Sequence, residues 1–167
     1  MEQNIYNLAQ KLGDILQQKQ LHVSTVESCT GGGIAYAITA ISGSSGWFNQ
    51  GYVTYSNESK HNLVGVKTET LNNFGAVSQQ TVEEMAFGCR EKSCADLTVA
   101  VSGIAGPGGG TDLKPVGTVW IAVCYGKDKV WSHCFNFKGD REAVRIQTIE
   151  NALEQLIKFT CFITNNK

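Results

Sequence analysis

Residues Ala95 to Gly103 read ADLTVAVSG, a nearly continuous apolar run that ends in a glycine-rich stretch. A strand with one face in water alternates apolar and polar residues, so an unbroken run of this length predicts a strand covered on both faces. Two-sided cover requires helices above and below a sheet, and the flanking sequence supplies them. Ile5, Leu8, Ala9, Leu12, Ile15 and Leu16 recur at helical spacing, as do Val144, Ile149, Leu153, Leu156 and Ile157 in a last helix that begins near Asp140. LHVSTV (Leu21 to Val26) predicts a strand, GIAYAITAI an apolar helix, GYVTYS a second strand and NESKHNLVGV a short helical turn. Ser78 is placed to cap the helix QQTVEEMAFGCREKSC. TVWIAVCYG and KVWSHCFNFK flank a turn at Lys127 and Asp128 and predict a β-hairpin. Strands and helices alternate early and a hairpin comes late, which predicts an α/β fold, a mixed, mostly parallel sheet with helices on both sides.

Length and charge narrow the function. A chain of 167 residues fits one domain spanning 1–167. Such a chain buries roughly 70% of the surface that its unfolded form exposes. Its 14 basic and 15 acidic residues give a net charge of -1, which argues against nucleic acid as a partner. No stretch approaches the roughly 18 apolar residues of a membrane span, and MEQNIYNLAQ lacks the features of a secretory signal. The six cysteines form no CxxC pair, and most sit among apolar neighbours, so a reducing, cytoplasmic compartment is expected. The three histidines are scattered and read as structural, with no metal motif.

Three segments could carry chemistry. ESCTGGG sets Ser28, Thr30 and three glycines at a helix start, where free N–H groups and the helix dipole favour an anion. The same segment also reads as a tight strand-to-helix turn capped by Thr30. SGIAGPGGG is costly to order and suits close approach of backbone to a ligand, although a flexible surface loop has the same composition. GSSGWFNQGYVTYSNESK brings serines, Tyr55 and Lys60 into one stretch with Trp47, Phe48 and Tyr52. A serine–lysine pair can work as a serine–histidine pair does if burial holds the lysine neutral. The spacing alone is a weak signal, since serines and lysines are common.

Six segments, ESCTGG, GSSGWFNQGYVTYSNESK, GAVS, SGIAGPGGG, KPVGTVW and GDREAVR, occur in one order along the chain. Together they closely resemble the CinA C-terminal domain family, the nicotinamide-nucleotide amidohydrolases, over essentially the whole chain. The resemblance implies a three-layer α/β/α fold and a stand-alone form of the domain. It implies hydrolysis of the carboxamide of nicotinamide mononucleotide to nicotinate mononucleotide and ammonia, with no metal or other cofactor. It also implies a homo-oligomer, commonly a dimer. The family's proposed catalytic set maps onto Ser45, Tyr55 and Lys60, with Ser45 as nucleophile and Ser28 as the rival. Ser28, Thr30, Gly31 and Gly32, with Ser102, Gly103, Gly106, Gly108 and Gly109, are expected to wall the substrate pocket. Arg141, at the start of the last helix, is expected to grip the substrate phosphate. Two positions depart from the family pattern: Ser102 stands where threonine is common, and Gly108 where aspartate is usual. The alternative is an inactive paralogue that binds pyridine nucleotides without turnover.

Overall fold

The computed structural model describes residues 1–126 and 128–163. In chain order the elements are α1 (Gln3–Lys19), β1 (Val23–Glu27), α2 (Gly33–Thr39), β2 (Phe48–Val53), α3 (Asn57–Val64), α4 (Thr68–Phe74), α5 (Gln79–Ser93), β3 (Leu97–Gly103), β4 (Thr118–Tyr125), β5 (Lys129–Asn136) and α6 (Arg141–Phe159). The five strands form one sheet in the order β2-β1-β3-β4-β5. β1 pairs parallel with both β2 and β3, and the remaining two pairings, β3 with β4 and β4 with β5, are antiparallel. The sheet is therefore mixed, with its pairings split evenly between the two senses.

β3 meets the expectation drawn from its apolar run. Leu97, Val99 and Val101 face the layer of α1, α2 and α6, and join Leu12, Leu16, Ile34, Ile38, Leu153 and Leu156 in one core. Ala100 faces the other way, into a second core with Val26, Val64, Val82, Met85 and Ala122 beneath α3, α4 and α5. The three layers follow from this two-sided burial. α5 passes so close to α3 that a Cβ at Gly88 would fall 1.7 Å from the Val64 carbonyl oxygen, so glycine is required there.

β2 and α4 differ from expectation. β2 begins at Phe48 and ends at Val53, so Tyr55 and Ser56 lie beyond the strand. It is an edge strand, half-buried at most, and its FNQGY segment carries no alternation that would mark its start. α4 was not anticipated, because only Thr70 and Leu71 of its seven residues are buried. The hairpin is present as β4 and β5; Lys127, in its expected turn, lies outside the described residues. Among the described residues no helix is long and apolar enough to cross a membrane.

The topology decides where a site can form. β1 sits between β2 and β3, and the connections to them run over opposite faces of the sheet. Such a reversal opens a crevice at the carboxyl ends of the central strands. Those ends are Glu27 of β1 and Gly103 of β3.

Candidate active site

Ser28 is the first residue past β1, and its N–H donates to the Val101 carbonyl at 3.1 Å, which pins it to β3. Lys60 arrives from the other layer. Past β2 the chain enters α3 through a reciprocal cap, in which the Ser56 hydroxyl accepts from the Ser59 N–H and the Ser59 hydroxyl accepts from the Ser56 N–H. That cap sets the first turn of α3 and sends Lys60 inward, where the residue is 1% exposed. Its Nζ lies 3.0 Å from Ser28 Oγ, 2.7 Å from the Thr54 carbonyl oxygen and 3.4 Å from that of Tyr55. Among the described residues it makes no salt bridge. Burial penalises the ammonium form, and the Lys60 pKa falls from 10.5 to about 8.

The three neighbours of Nζ define what this lysine can do. Two are carbonyl oxygens, which only accept, so they take two of its hydrogens. The third is a hydroxyl, which can accept from the ammonium or donate to the lone pair of the neutral amine. Loss of one proton thus turns the Ser28 contact from Lys-to-Ser into Ser-to-Lys without moving a heavy atom.

Around the pair lies a cleft of about 220 Å³ lined by Ser28, Tyr55, Lys60, Ser102, Gly103 and Arg141, all expected, and by Cys29, Asn57, Ala76, Val77 and Ala105. The second group was missed. Ala76 and Val77 belong to the GAVS segment, and Asn57 to the YSNESK segment, so the signal was present without a role attached to it. Tyr55 is 60% exposed; its phenol oxygen accepts from Arg141 Nη2 at 3.0 Å. Arg141 Nη1 donates to the Gly106 carbonyl at 2.8 Å. The arginine thereby joins two walls of the cleft at its mouth. Burial pushes the Cys29 thiol up to about 11, which leaves it protonated and a poor nucleophile.

Other expected residues are placed elsewhere. Ser45 does not meet Lys60. It is exposed, in a short helical turn that precedes β2, whereas Ser28 follows β1. Because Val23 pairs with Phe48 and Glu27 with Val53, the two serines stand at opposite ends of parallel strands, roughly 17 Å apart at the usual rise per residue. The buried Trp47, two residues after Ser45, packs against Gly13 of α1. Thr30 is fully buried, and its hydroxyl donates to Glu27 Oε2 at 2.5 Å rather than facing the cleft. The Gly32 N–H also points to Glu27, at 3.2 Å, and Gly31 lies beside Arg145. The start of α2 is thus occupied by the protein's own carboxylate, so a substrate anion finds no vacant donors there. Gly106 is buried and touches the site through its carbonyl, while Gly108 and Gly109 lie exposed beyond it. Among the described residues no cluster of His, Cys, Asp or Glu could hold a metal ion.

The fold and the cleft define an α/β protein with a polar site at the switch point of a mixed sheet. The chain belongs to the CinA C-terminal domain family, whose model matches residues 5–160. It is 51% identical to the nicotinamide-nucleotide amidohydrolase PncC of Enterobacter agglomerans, over 94% of this chain and 98% of that protein. The PncC of Escherichia coli K12 is 46% identical, over 93% of this chain and 94% of the other. A CinA-like protein of Endomicrobium trichonymphae is 53% identical over 89% of this chain but only 35% of its own length. Among solved structures, the competence/damage inducible protein CihA of Agrobacterium tumefaciens superposes with a TM-score of 0.93 at 45% identity, covering 95% of this chain and 97% of that one.

Proposed function

We propose that this chain hydrolyses the carboxamide of nicotinamide mononucleotide, giving nicotinate mononucleotide and ammonia through an acyl-serine intermediate on Ser28. The observation that carries the mechanism is the 3.0 Å contact between Ser28 Oγ and a buried, low-pKa lysine. The substrate is suggested by the names of the full-length PncC relatives. An unaided serine hydroxyl is a weak nucleophile and needs a base within hydrogen-bond reach. Neutral Lys60 takes the Ser28 proton as Oγ bonds to the carboxamide carbon, and a tetrahedral oxyanion forms. The backbone N–H of Cys29, which lines the cleft one residue past Ser28, is suited to receive that charge. As the carbon–nitrogen bond breaks, Lys60 returns the proton to the leaving nitrogen and ammonia departs. Water then attacks the ester, gives its proton to Lys60, and Ser28 leaves as the hydroxyl. Ala76 and Val77 offer the apolar wall that an aromatic ring requires. The six cysteines are all free thiols, which fits a cytoplasmic enzyme.

Arg141 stands at the mouth of the cleft with guanidinium hydrogens beyond the two it uses, and we assign it to the substrate phosphate. Incubation with nicotinamide mononucleotide should release ammonia stoichiometrically with nicotinate mononucleotide, and nicotinamide riboside should be the poorer substrate. Arg141→Met should lower kcat/KM for the nucleotide by about 10- to 100-fold, the loss of a hydrogen bond to a charged group, and leave the riboside nearly unchanged. No ammonia from the nucleotide would refute the activity. Equal losses on both substrates would refute the phosphate role alone.

A further inference from the structure

Glu27 ends β1 one residue before Ser28, and none of it reaches solvent. Its carboxylate is fully engaged. Oε2 accepts from Thr30 Oγ1 at 2.5 Å, from the Ile34 N–H at 3.0 Å and from the Gly32 N–H at 3.2 Å, while Oε1 accepts from the Ala35 N–H at 2.9 Å. A buried carboxylate without partners is costly, and donors of this number repay its desolvation. α2 has seven residues, and its N-cap position is Gly32, which offers no side chain to the helix. A helix this short is not stable by itself in water. The N–H groups that a serine or aspartate at the cap would satisfy are satisfied instead from a strand.

A cap inside α2 would hold α2 together. A glutamate at the end of β1 does something else: it ties both ends of the turn 28–32 to one rigid point, with Ser28 as the first residue of that turn. The same residue holds the other side of the pair through its main chain. The Glu27 carbonyl accepts from the Thr54 N–H at 2.8 Å and from Thr54 Oγ1 at 3.4 Å, and the Thr54 carbonyl in turn receives Lys60 Nζ. Ser28 and Lys60 therefore both hang from Glu27, by two hydrogen-bonded links on one side and a peptide bond on the other.

Resting on the assignment of Ser28 and Lys60 as nucleophile and base, we infer that Glu27 is a positioning residue for that pair, setting the Ser28 Oγ to Lys60 Nζ distance without touching substrate. Its role is separable from helix stabilisation by what each would change. Glu27→Gln keeps the size but turns one acceptor oxygen into an NH₂ that faces N–H or O–H donors, so the turn must shift. A displacement on the order of 1 Å at a reacting group costs about 10²-fold. Glu27→Gln should therefore lose about 10²-fold in kcat, with KM changed by less than about threefold. Labelling of Ser28 by phenylmethylsulfonyl fluoride, which needs an activated serine but no substrate recognition, should slow in parallel.

The experiment compares wild type, Ser28→Ala, Glu27→Gln and Thr30→Val, with melting curves for each. Thr30→Val is the milder variant: it keeps the shape, deletes one donor to the carboxylate and stands in if Glu27→Gln does not fold. It should lose about tenfold in kcat and in labelling rate, the worth of one hydrogen bond to a charged group. A lower melting temperature with wild-type kcat and labelling in the folded variants would overturn the positioning role and leave only a structural one. Substantial turnover by Ser28→Ala would overturn the assignment of the pair, and the role of Glu27 with it.

Discussion

Ser28→Ala should be the inactive serine variant, and Ser45→Ala should turn over close to wild type. Ser28 Oγ is the hydroxyl that Lys60 Nζ reaches, at 3.0 Å, and it lines the cleft. Ser45 is exposed at the opposite end of the sheet. Removing a serine nucleophile from a working set costs about 10⁴- to 10⁶-fold in kcat, because base and oxyanion donors have nothing left to act on. A solvent-facing serine replaced by alanine changes stability by about 0.5 kcal/mol or less and should leave kcat within about twofold. Ammonia release at saturating substrate, with melting curves to show both variants folded, decides the matter. The reverse pattern, with Ser45→Ala dead and Ser28→Ala active, would restore Ser45 as the nucleophile.

The second large effect is at Lys60. Only the neutral amine can accept the Ser28 proton, so kcat/KM should climb with pH through a pKa near 8, set by burial of the side chain. Lys60→Arg should fall by about 10²- to 10⁴-fold, the usual worth of a general base, because a guanidinium does not deprotonate in proteins. Lys60→Met should be as poor, and neither variant should retain the rising limb. A flat profile between about pH 6 and 9 in the wild type, or an arginine variant with most of its activity, would reduce Lys60 to an electrostatic anchor.

The sequence reading and the structure agree where local pattern and burial coincide. The two-sided core at β3, the hairpin, and the α5 cap at Ser78, whose hydroxyl accepts from the Thr81 N–H, were legible because each has a short-range cause. Lys60, Tyr55, Ser102 and Arg141 were legible as cleft residues through their motifs. The wrong partner for Lys60 came from reading proximity along the chain. Ser45 is the nearer serine in sequence, but parallel pairing of β1 with β2 makes residues that follow the strands neighbours and sends residues that precede them to the far end. The anion expected at ESCTGGG is real but internal. Glu27 was read as part of a polar turn, when the strand register buries it and aims its carboxylate at α2. Nothing in a single sequence separates a carboxylate that fills a helix start from one that leaves it open.

A buried lysine also couples this site to the proton inventory of folding. In the unfolded chain Lys60 titrates at its ordinary 10.5, and in the fold at about 8. Between those values the unfolded form holds a proton that the folded form has released, so unfolding takes one up and stability rises with pH. Below pH 8 both forms are protonated and the fold carries the whole cost of an ammonium held out of water. From the same two values that cost is about 3 kcal/mol, and above 10.5 it is gone. On the lysine's contribution alone the fold is penalised under neutral and acidic conditions, where the amine is an ammonium. The buried thiols of Cys29, Cys89 and Cys124, pushed up from 9.0 to about 11, 12 and 11, act in the opposite sense above pH 9, where the unfolded chain has lost protons that the fold retains. The lysine's contribution to stability grows from about pH 8 to 10.5, where the fold has released the proton that the unfolded chain still holds. The change in denaturant midpoint from pH 7 to pH 9.5 should favour the fold more in wild type than in Lys60→Met, which keeps the buried thiols but has no lysine proton to exchange.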